Sequence, residues 1–169
     1  MPRIAIDKGS RHSFCLRLEF AIPAVIEVGE VVKKRPNILL ADDNAAILEV
    51  VSRLLRSHQC NVVAKINDGA DVVRESLRLR PDIIVLDISM DTLNGIDLAR
   101  ELGLAGCSSK IIFLSVHEDS DFVNAAMGAG GSAYVVKSRV ATDLCAAVDA
   151  VHEDKRFLSP TMLYQAGRS

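Results

Sequence analysis

The sequence predicts an α/β fold, in which a doubly wound, five-stranded parallel sheet carries helices on both faces. From residue 36 onward, five short apolar runs alternate with five longer amphipathic segments. The short runs are almost continuously apolar and mostly rich in β-branched residues, which is typical of strands buried on both faces of a parallel sheet. Strict alternation of strands and helices places a crossover helix between consecutive parallel strands, so the helices cover both faces.

Each predicted strand corresponds to one of the short runs, which occupy residues 37–41, 61–66, 82–86, 110–114 and 133–136. The predicted helices follow them in turn, at about residues 44–58, 69–79, 95–104, 119–129 and 139–153. The second helix follows an Asn-Asp-Gly sequence at residues 67–69, which is typical of a turn and a helix cap. In the last helix, Leu144, Val148 and Val151 recur at helical spacing and form one apolar stripe.

Two segments fall outside this alternation, so we divide the chain into an N-terminal extension at 1–35, a domain at 36–156 and a short tail at 157–169. Alternate residues of the extension are apolar between Phe14 and Ile22, which is the period of a strand with one apolar face. We favour a disordered leader for this extension. An added strand or a dimer arm is the alternative.

Composition and charge argue against several kinds of function. A net charge of -2 is not that of a general binder of nucleic-acid backbones. The four cysteines form no CxxC pair, and the histidines lack metal-ligand spacing, which argues against zinc. No apolar stretch reaches the roughly 20 residues of a membrane span. Because Arg17 and Glu19 interrupt the apolar N-terminal region, we also reject a secretory signal and expect a cytoplasmic protein.

Polar residues stand where four of the five strands end, namely Asp42 and Asp43, Asp87, Ser115 and Lys137. The carboxyl ends of parallel strands meet at one edge of the sheet, where ligands of open α/β folds bind. Three carboxylates at one place repel each other and raise the pKa of at least one, unless a cation lies among them. A ligand set made only of oxygens favours a hard divalent ion, and Mg²⁺ is the best match.

The same set of side chains suits phosphoryl transfer. An Asp can act as a nucleophile and form an aspartyl phosphate, while Mg²⁺ and a Lys stabilise the charge that develops. Ser115 would then donate a hydrogen bond to a phosphoryl oxygen. The sequence lacks the Gly-rich loop of NTPases and the Gly-x-Ser-x-Gly elbow of hydrolases. For Asp42 and Asp43 taken alone, capping of the following helix is the alternative, worth about 1 kcal/mol.

Five motifs in register resemble the receiver domain of bacterial two-component response regulators: LLADDN, DIIVLDISM, NGIDLAR, IIFLSVH and AYVVKS. The resemblance runs from about Asn37 to Phe157 and implies a flavodoxin-like (βα)5 fold with strand order 2-1-3-4-5. The later segment AVHEDKRFLSP resembles the end of receivers that precede a helix-turn-helix DNA-binding domain, but too few residues follow it for such a domain. We expect a stand-alone receiver, or a fragment or degenerate descendant of a transcription regulator.

The resemblance also assigns roles around the metal. Asp87 is implied to be the phosphoacceptor. Asp43 and Asp87 would bind Mg²⁺ directly, together with the backbone carbonyl of Ser89, and Asp42 would act through a bound water. A histidine kinase or a phosphotransfer protein would supply the phosphoryl group. The protein would not be an enzyme beyond its own phosphorylation and dephosphorylation.

By the same resemblance, Ser115 and Lys137 contact the phosphoryl group, and Tyr134 occupies the aromatic switch position. Drawing Ser115 inward would leave a gap for Tyr134 to fill. The alternative for Tyr134 is a partly buried aromatic residue at a strand start. The output surface would be the fourth helix, fifth strand and fifth helix, roughly residues 119–153. Few basic residues lie there, so we expect a protein partner or self-dimerisation and no direct binding to DNA.

Three positions depart from the family pattern or stand out within it. Asp91 replaces the usual Pro, which adds an acid beside the site and puts the rigidity of the loop in doubt. Ala133 stands where the family often has Gly. His117 lies where the family tunes phosphate lifetime, although we favour a solvent-facing loop histidine.

Two functions of other classes stay open. The first is a pseudo-receiver that binds partners without being phosphorylated, which we rank low because all five site residues are present. The second is a flavin-binding domain, because flavin proteins share this sheet topology. The loop after the first strand is the acidic sequence DDNAA, which would repel a flavin phosphate in the absence of a metal.

Overall fold

The computed structural model describes residues 34–91 and 93–160, and the fold is built from these two stretches. The predicted extension at 1–35 lies outside them except for its last two residues. The strands are β1 (Asn37–Ala41), β2 (Asn61–Ile66), β3 (Ile83–Asp87), β4 (Lys110–Ser115), β5 (Gly131–Val136) and β6 (Phe157–Leu158). The helices are α1 (Ala45–Ser57), α2 (Gly69–Leu79), α3 (Gly95–Leu104), α4 (Ser120–Gly128) and α5 (Val140–His152), with a 3₁₀ turn at Lys137–Arg139 before α5.

The sheet is parallel throughout, with the order β2-β1-β3-β4-β5-β6. This confirms the predicted doubly wound α/β fold and the order of its first five strands. The strand β6 was not predicted. It pairs with β5, with Ala133 opposite Phe157 and Tyr134 opposite Leu158. The sheet therefore has six strands instead of five, and it extends past residue 156, where the predicted domain ends.

Two hydrophobic clusters cover the two faces of the sheet, which explains why its strands are apolar at nearly every position. In β3, Ile83 and Val85 belong to the cluster that includes α1 and α5, whereas Ile84 and Leu86 belong to the cluster that includes α2, α3 and α4. Successive side chains of a strand point to opposite faces, so a strand in the middle of this sheet must be apolar on both.

Side-chain caps mark where the first three helices begin. Asn44 accepts hydrogen bonds from the amides of Ala46 and Ile47, and Asn94 accepts one from Ile96. Asp68 caps α2 by accepting from the amide of Ala70, as the turn at 67–69 predicted. Because Asn44 caps α1, neither Asp42 nor Asp43 is needed for that purpose, and the capping alternative for this acid pair is wrong. Within the two described stretches, no helix is both long and apolar enough to cross a bilayer.

Candidate functional site

The carboxyl edge of the sheet brings the predicted polar residues together. Asp42 and Asp43 directly follow β1, Asp87 ends β3, Ser115 ends β4, and Lys137 follows β5. One carboxylate oxygen from each of the three acids lies within 4.8 Å of the other two. Because β1, β3 and β4 are adjacent, the parallel topology alone accounts for this convergence.

Lys137 is the cation among these acids. Its Nζ lies 2.8 Å from Oδ2 of Asp42 and 3.0 Å from Oδ2 of Asp87. All three side chains are mostly or fully buried, so the attraction is screened less than it would be at the surface. Burial lowers the pKa of Lys137, but the hydrogen bonds and charges of Asp42 and Asp87 together outweigh it and raise the pKa, so the side chain stays charged.

Asp87 keeps one carboxylate oxygen without a protein partner. Its Oδ2 faces Lys137, whereas Oδ1 is buried and makes no hydrogen bond to the described residues. Burial raises the pKa of this carboxyl, and Asp42 adds to the effect, while Lys137 opposes it. A buried acceptor without a partner is costly, so its presence in an acidic cluster indicates a site for an incoming cation or electrophile.

The other two acids are oriented by backbone amides. Asp42 accepts a hydrogen bond from the amide of Asn44 at 2.9 Å. Asp43 accepts one from the amide of Asp91 at 2.7 Å, across the loop that follows β3. A proline at position 91 would have no N–H group to donate. The departure from the family pattern at this position therefore adds a contact that the sequence analysis did not foresee.

This group of three carboxylates fits a hard divalent cation. The donor set is made of oxygens, two of its members are held by amides, and one oxygen of Asp87 is free. These properties match the ligands that Mg²⁺ prefers. Ser89, whose carbonyl is the predicted further ligand, lies in the adjoining loop and forms a bridge with Asn94. Its part in binding a metal stays a prediction.

Ser115 and Tyr134 are linked through the backbone of His117. The Ser115 hydroxyl accepts a hydrogen bond from the amide of His117 at 3.0 Å, and the Tyr134 hydroxyl donates one to its carbonyl at 3.0 Å. Both side chains are fully buried. Tyr134 is therefore already inside the protein, in the middle of β5, and is not a partly buried residue at a strand start. Its role as a switch stays a prediction.

The side chain of His117 is not simply solvent-facing. Its ring is half-buried and stacks on Phe122, with ring centroids 4.0 Å apart and planes 3° from parallel. Its Nε2 lies 3.5 Å from the hydroxyl of Ser89, at the far limit of a hydrogen bond. The loops after β3 and β4 thus meet beside the acidic cluster. The stacking was not predictable from the sequence, because nothing in the loop SVHEDS distinguishes an outward histidine from a packed one.

Comparison with known proteins adds independent evidence. A family model described as "Response regulator receiver domain" matches residues 38–149. The chain is 29% identical over 136 residues to the transcriptional regulatory protein DegU of Brevibacillus brevis, covering 80% of this chain and 58% of DegU. It is 25% identical over 129 residues to the response regulator GacA of Pseudomonas aeruginosa, covering 76% of this chain and 60% of GacA. The chain thus spans about three fifths of the length of these curated relatives.

Solved structures agree with these matches. A LuxR-family two-component response regulator from Aurantimonas sp. SI85-9A1 superposes with a TM-score of 0.75 and 29% identity, covering 79% of this chain and 96% of that one. The isolated REC domain of RcsB from Salmonella enterica serovar Typhimurium gives a TM-score of 0.71, covering 78% and 98%. At 24% identity, the RcsB match supports the fold alone.

Proposed function

Because this chain belongs to the family of response regulator receiver domains, we propose that it is a signalling switch that accepts a phosphoryl group on Asp87. The observation that carries the proposal is the free, buried Oδ1 of Asp87 beside two further carboxylates and the ammonium group of Lys137. A nucleophilic oxygen and a fixed positive charge are the two elements that phosphoryl transfer requires of a protein.

In the proposed reaction, a carboxylate oxygen of Asp87 forms a bond to phosphorus. The bond between phosphorus and the donor breaks, and its electron pair leaves with the donor group. Lys137, held 3.0 Å from Oδ2 of Asp87, balances charge on the phosphoryl oxygens. Ser115 accepts from the amide of His117, and its hydroxyl also carries a proton that it could donate to a phosphoryl oxygen.

We propose that Mg²⁺ is the cation that completes the site. Asp43, Asp87 and the carbonyl of Ser89 would hold it directly, and Asp42 would do so through water. A bound Mg²⁺ neutralises charge on the phosphoryl group and on the carboxylates around it. Asp42 is engaged by Lys137 and by the amide of Asn44, which supports its more distant position.

The proposed donor is a histidine kinase or a phosphotransfer protein in the cytoplasm, and the protein has no further substrate. Its output would reach a downstream protein or a second copy of the chain through the surface of α4, β5 and α5. Drawing the Ser115 hydroxyl toward a phosphoryl oxygen would weaken its bond to the amide of His117, whose carbonyl holds Tyr134. The signal would therefore pass from β4 to β5 through one residue. The DegU match, a transcriptional regulatory protein, supports a role in controlling transcription.

The phosphoacceptor is tested by incubating the protein with Mg²⁺ and acetyl phosphate and measuring its intact mass. We expect one phosphoryl group on the wild type and on Asp97→Asn, which alters an exposed acid of α3 paired with Arg100. Asp87→Asn, which keeps the shape of the side chain, should not be modified. Chelation of Mg²⁺ should abolish labelling of the wild type. Labelling that persists in Asp87→Asn, or no labelling of the wild type, contradicts the proposal.

A further inference from the structure

Ser159, the residue after β6, is the centre of a buried polar cluster outside the acidic site. Its side chain is fully buried. Its hydroxyl donates to Oδ2 of Asp143 at 2.8 Å and accepts from the amide of Val136 at 3.2 Å. Its own amide donates to the carbonyl of Tyr134 at 3.0 Å. Removing this hydroxyl would leave two buried groups short of a partner, which is more costly than the loss of one exposed hydrogen bond.

Asp143 belongs to the same cluster and lies in the first turn of α5. Its Oδ2 also accepts from Nε of Arg139 at 2.8 Å, and its Oδ1 accepts from Nη2 of Arg139 at 3.1 Å. The hydroxyl of Thr142 donates to the same Oδ1 at 2.8 Å. Neither the 3₁₀ turn nor α5 has a side-chain hydrogen bond from its N-cap residue. Asp143 instead joins the side chains of Arg139, Thr142 and Ser159 at the start of α5.

The cluster contacts the chain on both sides of Lys137, at a backbone amide before it and at a side chain after it. Val136 precedes Lys137 and is bound by the Ser159 hydroxyl, while Arg139 follows two residues later and is bound through Asp143. The stem of Lys137 is flexible, and its ammonium group must lie between two carboxylates. Where that group can lie depends on where the short turn Lys137–Arg139 sits.

We propose that Ser159 is a positioning residue for phosphorylation, which fixes the turn of Lys137 and thereby the position of its ammonium group beside Asp87. The effect of Ser159 on phosphorylation rests on the proposed function, whereas its effect on the position of the Lys137 ammonium group does not. A reacting group displaced by about 1 Å can lower a rate by about 10²-fold. Residues 157–159 would then be required for efficient phosphorylation of the domain.

The test compares Ser159→Ala with Ser76→Ala in the full chain. Ser76 is an equally buried serine on α2, and its hydroxyl makes no hydrogen bond to the described residues. The first measurement is the ¹³Cε resonance of Lys137 in the unphosphorylated protein, assigned with Lys137→Arg. The second is the rate of phosphorylation by acetyl phosphate at saturating Mg²⁺. We expect Ser159→Ala to shift the resonance and to slow phosphorylation by about 10- to 100-fold. Ser76→Ala should leave both unchanged.

An unchanged Lys137 resonance in folded Ser159→Ala, or an equal shift in Ser76→Ala, overturns the proposal. So does a shifted resonance with an unchanged rate. If Ser159→Ala does not fold by circular dichroism, Ser159→Cys replaces it, because a thiol leaves no cavity but is a weaker donor and acceptor than a hydroxyl. Its effects should have the same direction. If the wild type itself is not phosphorylated, the proposed function fails, and the Lys137 resonance still decides the positioning role.

Discussion

Replacing Gly95 by Ala tests how closely α3 must approach Asp87, the proposed phosphoacceptor. Gly95 is the first residue of α3, and its amide donates to the carbonyl of Ile88 at 2.9 Å. A Cβ atom at this position would overlap the carbonyl oxygen of Asp87 and would lie 2.9 Å from both its carbonyl carbon and Cα of Ile88. All three are backbone atoms of the strand end that presents Asp87. The overlap cannot be relieved by rotating a side chain, so α3 or the end of β3 must move.

The expected cost follows from the contacts that such a movement disturbs. Overpacking a buried site destabilises a protein by about 1–3 kcal/mol. Lengthening the hydrogen bond to Ile88 adds about 1 kcal/mol. The better helix propensity of Ala returns about 0.5–1 kcal/mol. We therefore expect Gly95→Ala to lower the free energy of unfolding by about 1–3.5 kcal/mol, and to slow phosphorylation of Asp87.

Gly103→Ala is the matched control, because it lies on the same helix and its added Cβ would meet nothing within 4 Å. It should leave stability unchanged or raise it by up to about 1 kcal/mol. Urea unfolding followed by far-UV circular dichroism suits both variants, since the chain contains no Trp. A Gly95→Ala protein within about 0.5 kcal/mol of the wild type, or no more affected than Gly103→Ala, would refute the argument from close backbone approach.

The remaining predictions concern acid stability and signal output. Burial raises the pKa of Asp143, but hydrogen bonds from Arg139, Ser159 and Thr142 outweigh it and hold the pKa below its ordinary value of 3.8. The carboxylate therefore stabilises the fold above that pH and ceases to do so as the pH falls below it. Urea unfolding should then show that Asp143→Asn lowers the free energy of unfolding less at low pH than at neutral pH. A loss of free energy that does not change with pH contradicts this prediction. Beryllofluoride should change amide NMR shifts at Tyr134 and across 139–153, and changes confined to the loops around the acids would rule out the proposed output surface.

Most of the fold could be predicted from local pattern, because each element is long enough to show a period. The predicted helices at 69–79 and 95–104 agree with α2 and α3 residue for residue, and the other three differ by one residue at each end. The strand β6 was missed for the opposite reason. Two residues cannot show an alternation, and Phe157 and Leu158 form a strand only because β5 lies beside them.

Some features of the candidate site could likewise be predicted from the identity of its side chains, and others could not. The meeting of Asp42, Asp43, Asp87 and Lys137 was predictable, because strand ends in a parallel sheet share an edge. The hydrogen bond from the amide of Asp91 to Asp43 was not predictable, because the residue type does not indicate where a backbone N–H group will donate. The cluster of Ser159 was also invisible, because it depends on pairing across 16 residues between side chains that match no motif.

The charges at the sheet edge explain why the need for a cation should grow after phosphorylation. Counted as ionised, three carboxylates and the single ammonium group of Lys137 leave two net negative charges in the site. The proposed phosphorylation would remove the charge of Asp87 and add close to two negative charges on the phosphoryl group. The site would then carry about three net negative charges, and a divalent cation would reduce these to about one. The buried position of Asp42 and Asp87 makes this difference larger than it would be in water. Mg²⁺ should therefore bind the phosphorylated protein more tightly than the unmodified one, and by linkage it should favour the phosphorylated state to the same degree.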